Sequence, residues 1–258
     1  MTNTTSSVEL VTVPCLRDNY AFLVHDPATG ATALIDAPEA TPIAAAIAQR
    51  GWRLTDILLT HHHDDHVDGL ASLRGNARVI GAKADAHRLP PLDLAVAEGD
   101  MLHICGQTTH VIDVSGHTIG HIAFHMPEAG LAFTGDSLMA MGCGRLFEGT
   151  PAQMWASLQK LRALPGKTLV CSGHEYTESN ARFAASLDPD NPDLTLRVEA
   201  IKKARAAGQP TVPSGLDDER LTNPFLRADD AQLKVHLGLQ DLPDEEVFAQ
   251  IRASKDKF

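Results

Sequence analysis

Short β-prone apolar runs bounded by Gly, Pro, Asn or Asp fill the first two-thirds of the chain, at 8–13, 21–25, 32–36, 56–60, 78–81, 109–114, 121–126 and 131–134. Strands in that number predict sheets. Two helical segments interrupt them, at 41–49 and 151–164. The second carries its own start signal: Thr150 stands at the N-cap, Pro151 at the first helical position and Gln153 where it closes a capping box, with Met154, Leu158 and Leu161 on one face. A further strand is predicted at 168–171. After about Gly173 the strand patterns give way to four helical stretches, 178–187, 193–207, 228–237 and 244–254, separated by proline-bearing breaks. The pattern predicts an α/β fold with a strand-rich core over 1–173 and a small helical domain over 174–258.

Composition narrows the function. The 258 residues are 43% hydrophobic and 21% charged, which is ordinary for a globular chain and excludes a disordered one. The 33 acidic and 22 basic side chains leave a net charge of −11, so the mean field repels a nucleic-acid backbone and no nucleic-acid partner is expected. No basic start followed by an apolar signal-length run opens the chain, and no stretch of 18 apolar residues occurs, so a cytoplasmic protein without a membrane partner is expected. Cys15, Cys105, Cys143 and Cys171 form no C-x-x-C pair, which suits reduced thiols rather than a disulfide framework or a thiolate metal site.

One cluster stands out. Thirteen histidines would put about 0.3 of one in an average six-residue window, yet His61, His62, His63 and His66 share one. The run Thr60-His61-His62-His63-Asp64-Asp65-His66 follows the apolar Ile57-Leu58-Leu59, where a buried strand ends and sites in α/β folds are built. Alternation sends His61 and His63 to one side, and the turn into the next helix lets Asp65 and His66 converge on them. Nitrogen and oxygen donors so placed suit a metal, and more than one ion fits because all four need not serve one centre. The eight other histidines, His25, His62, His87, His103, His110, His121, His125 and His236, read as structural, with His62 and Asp64 pointing away from any ion.

The spacing H-x-H-x-D-H after a hydrophobic strand resembles the signature of the metallo-β-lactamase superfamily. Membership demands a later histidine, an aspartate and a last histidine, and His117, Asp136 and His174 stand in that order in Ser115-Gly116-His117-Thr118, Phe133-Thr134-Gly135-Asp136 and Cys171-Ser172-Gly173-His174. The resemblance implies a four-layered αββα sandwich. It also implies two divalent ions: His61, His63 and His117 on one, Asp65, His66 and His174 on the other, and Asp136 bridging them. Zinc is expected, and the donor set also admits iron and manganese.

More specific segments resemble the glyoxalase II family of hydroxyacylglutathione hydrolases. They are Met141-Gly142-Cys143-Gly144-Arg145-Leu146-Phe147-Glu148-Gly149-Thr150, Gly173-His174-Glu175-Tyr176-Thr177 and Ile251-Arg252-Ala253-Ser254-Lys255-Asp256-Lys257-Phe258, with Asn19-Tyr20 and Asn223-Pro224-Phe225-Leu226-Arg227. The resemblance covers essentially the whole chain. It implies a catalytic domain over 1–173 and a substrate-binding domain over 174–258. It implies too that Arg145, Tyr176, Arg252 and Lys255 bind the glutathione part of the substrate. A dicarboxylate ligand on a chain of charge −11 calls for such a basic patch. Arg252 and Lys255 also share a helix face and complement the dipole of a helix opened by Asp244, Glu245 and Glu246. Phe147 stands where some members carry a tyrosine, so one hydroxyl contact to the ligand is missing and lower affinity is expected.

The reaction so implied is hydrolysis of S-(2-hydroxyacyl)glutathione thioesters, typically S-D-lactoylglutathione to D-lactate and glutathione, in methylglyoxal detoxification. A hydroxide bridging the two metals attacks the carbonyl, with Asp65 and Asp136 holding it. The thiolate leaving group, of pKa roughly 8.5, needs no dedicated general acid. Cys143 is not the expected nucleophile, and a monomer is expected. The rival readings are a persulfide dioxygenase with one iron, a lactonase, and a noncatalytic module in which metal serves folding.

Overall fold

In the computed structural model, which describes residues 8–258, the chain divides into two units, residues 8–113 with 120–135 and residues 114–119 with 136–258. In the first unit, β1 (Glu9–Cys15), β2 (Asn19–His25), β3 (Ala31–Ile35), β4 (Arg53–Leu58), β5 (Arg78–Ala82) and β6 (Leu94–Val96) lie side by side in that order. Strands β1 to β3 pair antiparallel and β3 to β6 parallel. Parallel neighbours need a crossover, and α1 (Ala40–Arg50) supplies the one between β3 and β4, ending on Gly51 in the left-handed region at φ 66°. After β4 the chain makes two four-residue helices, α2 (Asp64–Val67) and α3 (Leu70–Leu73).

Strands β7 (Met101–Ile104), β8 (Gln107–Asp113), β9 (Ile122–Met126) and β10 (Leu131–Gly135) form an antiparallel meander. Every residue of β2, β9 and β10 is buried, which is why these segments read as continuous apolar runs. Phe22 of β2 and Phe133 of β10 meet at 5.7 Å between ring centroids, joining the two sets of strands within this unit.

The second unit opens on the hairpin β11 (Leu138–Met139) and β12 (Gly142–Cys143). It continues through α4 (Pro151–Arg162), β13 (Leu169–Ser172), α5 (Thr177–Leu187), α6 (Pro192–Ala206), β14 (Ser214–Gly215), α7 (Leu216–Thr222), a 3-10 turn at Pro224–Leu226, α8 (Ala231–Leu237) and α9 (Asp244–Lys255). The capping box at Thr150 and Gln153 is present as read from the sequence. Its core is aromatic: Phe248 of α9 lies 6.0 Å from both Trp155 and Phe225, and Phe225 lies 6.0 Å from Phe183. The strands and helices build the α/β class that the pattern predicts. The pattern does not predict α7 or the short β6, β7, β11, β12 and β14. Two to four residues are too few to show a period, and Leu216-Asp-Asp-Glu-Arg-Leu-Thr announces its helix only through first-turn acids that complement the dipole. No described helix is long and apolar enough to cross a membrane.

Candidate metal centre

Each unit carries some of the expected ligands, and the Nδ1 atoms of His61, His66 and His117 each face an oxygen. In the first unit, β4 stops at Leu58, the chain bends at Thr60, and His63 precedes α2 in an extended conformation. Asp36, buried at the end of β3, accepts hydrogen bonds from the Thr60 amide to Oδ1 and from the Thr60 hydroxyl to Oδ2, each at 2.8 Å. Its Oδ2 also accepts from His66 Nδ1 at 2.8 Å. The Thr60 proton is given to Asp36, so Thr60 Oγ1 faces His61 Nδ1, 3.0 Å away, as an acceptor. One carboxylate therefore fixes two imidazoles with Nδ1 protonated, so that Nε2 carries the lone pair a cation needs. Asp36 does this from a left-handed backbone, φ 56°, which few non-glycine residues adopt and aspartate tolerates better than most.

His61 and His66 are fully buried, and His61 Nε2 stands 3.2 Å from His63 Nδ1. Asp65 is held by Asn19, whose amide donates to its carbonyl and to its Oδ2, each at 3.0 Å. His62 turns to another partner, Asp85, at 2.9 Å, and Asp64 is exposed. His121 stacks on His61 at 4.6 Å.

In the second unit, His117 donates from Nδ1 to the Arg145 carbonyl at 2.8 Å, so its Nε2 also keeps a lone pair. Asp136 Oδ2 lies 3.6 Å from that nitrogen and 3.2 Å from His174 Nε2, so one carboxylate oxygen faces both rings. Atoms bound at zinc distances of about 2.0–2.1 Å in tetrahedral array are ~3.3 Å apart. The separations of 3.2 Å in the first unit and of 3.2 and 3.6 Å in the second are close to that edge length, and the donors are nitrogen and oxygen throughout. The residues fit divalent metal.

The second unit also holds every residue expected to bind substrate, in unequal states. Arg145, Phe147 and Tyr176 are exposed, Tyr176 stacking flat on His174 at 4.7 Å and Phe147 standing edge-on to His117 at 5.2 Å. Arg252 is buried. Its guanidinium donates to the Cys143 carbonyl and to Asp256, each at 2.9 Å, and lies over the Phe225 ring. Lys255 donates to the Ser179 carbonyl and hydroxyl at 3.2 Å and sits against Phe183 and Phe258. Burial, helped by Arg252, Arg182 and Arg145, pushes its ammonium down to about 8. Asp256, which the sequence does not single out, touches Arg252 and stands 3.9 Å from Arg145. Burial holds the Cys143 thiol up at about 11 despite the adjacent Arg252, so it is no thiolate nucleophile.

Two family models match. That of the metallo-β-lactamase superfamily covers residues 16–104 and 104–174, and that of the hydroxyacylglutathione hydrolase C-terminus covers 175–258. The chain is 66% identical to the hydroxyacylglutathione hydrolase of Cereibacter sphaeroides over 253 residues, 97% of this chain and 99% of that one. Among solved structures it resembles the BLEG-1 B3 metallo-β-lactamase, with TM-score 0.66 and 20% identity over 84% of this chain and 99% of the other. It also resembles TTHA1623 in a di-iron-bound form, with TM-score 0.54 and 30% identity over 64% of this chain and 91% of the other.

Proposed function

The chain belongs to the hydroxyacylglutathione hydrolase family of the metallo-β-lactamase superfamily, and on that basis we propose how its residues hydrolyse S-(2-hydroxyacyl)glutathione thioesters, typically S-D-lactoylglutathione to D-lactate and glutathione. His61, His63 and His117 would hold one divalent ion and Asp65, His66 and His174 the other, with Asp136 as the carboxylate they would share. Zinc is the metal proposed for both, with iron the alternative suggested by the di-iron form of a 30% identical relative. When bound, the ions supply Lewis acidity toward the carbonyl and an activated water.

The residues do the rest. Asp36 and the Arg145 carbonyl keep His66, His61 and His117 in the tautomer that offers Nε2. Asp65, steadied by Asn19, and Asp136 hold the attacking water. Its oxygen bonds to the acyl carbon as it gives up a proton to the surrounding solvent, the carbon–sulfur bond breaks, and glutathione thiolate leaves without a general acid, because its pKa is roughly 8.5. The exposed fork of Arg145 and the Tyr176 hydroxyl meet the peptide and carboxylates of glutathione, with Arg252 and Lys255 supplying positive charge behind them. Phe147 offers that ligand only an apolar edge. Residues 174–258 act as the substrate-binding domain beside a catalytic domain of 1–173, in a cytoplasmic monomer.

The single observation that carries the reading is the Asp136 oxygen facing two imidazole nitrogens at ligand spacing. Exhaustive chelation of the full chain is expected to abolish hydrolysis of S-D-lactoylglutathione, and added zinc or iron to restore it. Turnover that persists in metal-free protein refutes the reading.

A further inference from the structure

The turn between β11 and β12 is gripped by side chains from the helices that follow it. Asn180 donates to the Ala140 carbonyl at 3.0 Å. Asn223 donates to the carbonyls of Met139 and Gly142 at 3.2 and 3.0 Å, and Arg252 to that of Cys143 at 2.9 Å. Between them Met141 adopts a left-handed φ of 60°, a conformation disfavoured for an L residue other than glycine, asparagine or aspartate. Two contacts hold it there. Its side chain is fully buried with Ala181, Ala184, Leu194 and Ile201, and its amide donates to Glu219 Oε2 at 2.9 Å.

Glu219 is itself completely buried. Oε2 also accepts from Asn223 at 3.0 Å, while Oε1 accepts from the Ser214 hydroxyl at 2.6 Å and from Arg197. A buried carboxylate persists only with such a set of donors, and this one spends two of them on the hairpin. The hairpin in turn leads straight to metal ligands. The Gly144 amide donates to the Ser137 carbonyl at 3.1 Å, and a Cβ on Gly144 would lie 2.0 Å from the Asp136 carbonyl oxygen and 3.0 Å from His117 Nδ1. The next residue, Arg145, gives His117 its acceptor. Packing this tight transmits a shift of the turn to Asp136 and His117 rather than absorbing it.

We propose that Glu219 is a positioning residue for the hydrolysis: through Met141 and Asn223 it sets the β11–β12 hairpin, and through the hairpin the placement of Asp136 and the orientation of His117. The inference rests on the reading of those two residues as metal ligands. It gives the C-terminal helices a part in building the metal centre beyond the contacts they make with substrate.

The test compares full-length wild type, Glu219→Gln and Ser214→Ala. Metal-free protein is titrated with zinc against a chromophoric chelator and with cobalt(II) by its visible absorption, and thermal midpoint, kcat and KM are measured alongside. Ser214→Ala removes one Glu219 contact on the side away from the hairpin. The positioning role predicts that Glu219→Gln weakens at least one ion about 10–100-fold, alters the cobalt spectrum and lowers kcat, while Ser214→Ala lowers only the thermal midpoint. Wild-type metal affinity and kinetics in folded Glu219→Gln overturn the proposal, as does an equal loss of affinity in both variants. If Glu219→Gln does not fold, Glu219→Asp keeps the charge but withdraws the carboxylate from the Met141 amide. It is then expected to bind metal several-fold more weakly, and unchanged affinity overturns the proposal. A His117→Ala protein that binds both ions as tightly as wild type would defeat the ligand reading itself, which separates the two failures.

Discussion

Replacing Asp36 by asparagine preserves the size of the side chain and spoils its hydrogen bonding whichever way the amide turns. All three groups that face Asp36, the Thr60 amide, the Thr60 hydroxyl and His66 Nδ1, donate to it at 2.8 Å, and the site is buried. With the NH2 in place of Oδ1, it opposes the Thr60 amide and leaves a buried donor unmatched, at a cost of about 1–3 kcal/mol. With the NH2 in place of Oδ2, His66 must move its proton to Nε2 to accept from it. The lone pair needed for metal is then lost, and the Thr60 hydroxyl loses the acceptor that orients it toward His61. Either route transfers strain to the proposed ligands, and at 1.4 kcal/mol per decade a cost in this range is about a 5–150-fold change in affinity, which brackets the ~10–100-fold typical when outer partners of metal ligands are removed. Asp36→Asn is therefore expected to bind zinc about 10–100-fold more weakly in competition with a chelator, and to unfold at lower urea concentration even when metal-free. A variant with wild-type zinc affinity would refute the claim that Asp36 sets the two tautomers.

Arg145→Ala removes an exposed guanidinium, so KM for S-D-lactoylglutathione is expected to rise about tenfold or more while the thermal midpoint stays put. Arg252→Ala strips partners from the Cys143 carbonyl and the Phe225 ring, and is expected to cost about 2 kcal/mol in urea unfolding. Equal rate losses on glutathione and truncated thiol esters in that variant would refute glutathione recognition by Arg252. Lys255, pushed down to about 8 from 10.5, binds its proton less tightly folded than unfolded, so the unfolded chain holds the extra proton between those values and stability rises with pH across that window. Below about 8 both states are protonated and the dependence vanishes. Urea midpoints of wild type against Lys255→Met from pH 7.5 to 10.5 test this, and a constant difference defeats it. Thr150→Ala breaks the capping box of α4 and is expected to lose about 1 kcal/mol of stability with metal content unchanged.

The proposed ligands are legible in the sequence for a local reason. His61, His63, Asp65 and His66 lie within one strand end and one turn, so spacing alone brings their side chains near each other, and Asp136 directly follows an apolar strand. The capping box of α4 is legible for the same reason. Asp36 is not: it stands 24 residues before Thr60 and 30 before His66, and only the parallel pairing of β3 with β4 carries it to them. A strand reading over 32–36 runs through Asp36 as if it continued the sheet, whereas β3 ends at Ile35 and the aspartate turns left-handed. The clue available was a carboxylate closing the buried run Ala31-Thr-Ala-Leu-Ile35 at the carboxyl end of a strand, a place where α/β folds put function. Glu219 lies further out of reach, 78 residues from Met141, on a helix whose few apolar residues hide it. Asp256 receives no role from the sequence until Arg252 is found buried beside it. These omissions share one cause. A ligand is recognised by its neighbours in the chain, but a buried carboxylate is explained only by the donors that surround it, and those arrive from distant segments. The residues that orient the metal ligands are therefore the ones a sequence conceals, and substitutions at them are where a site with every ligand intact would still fail.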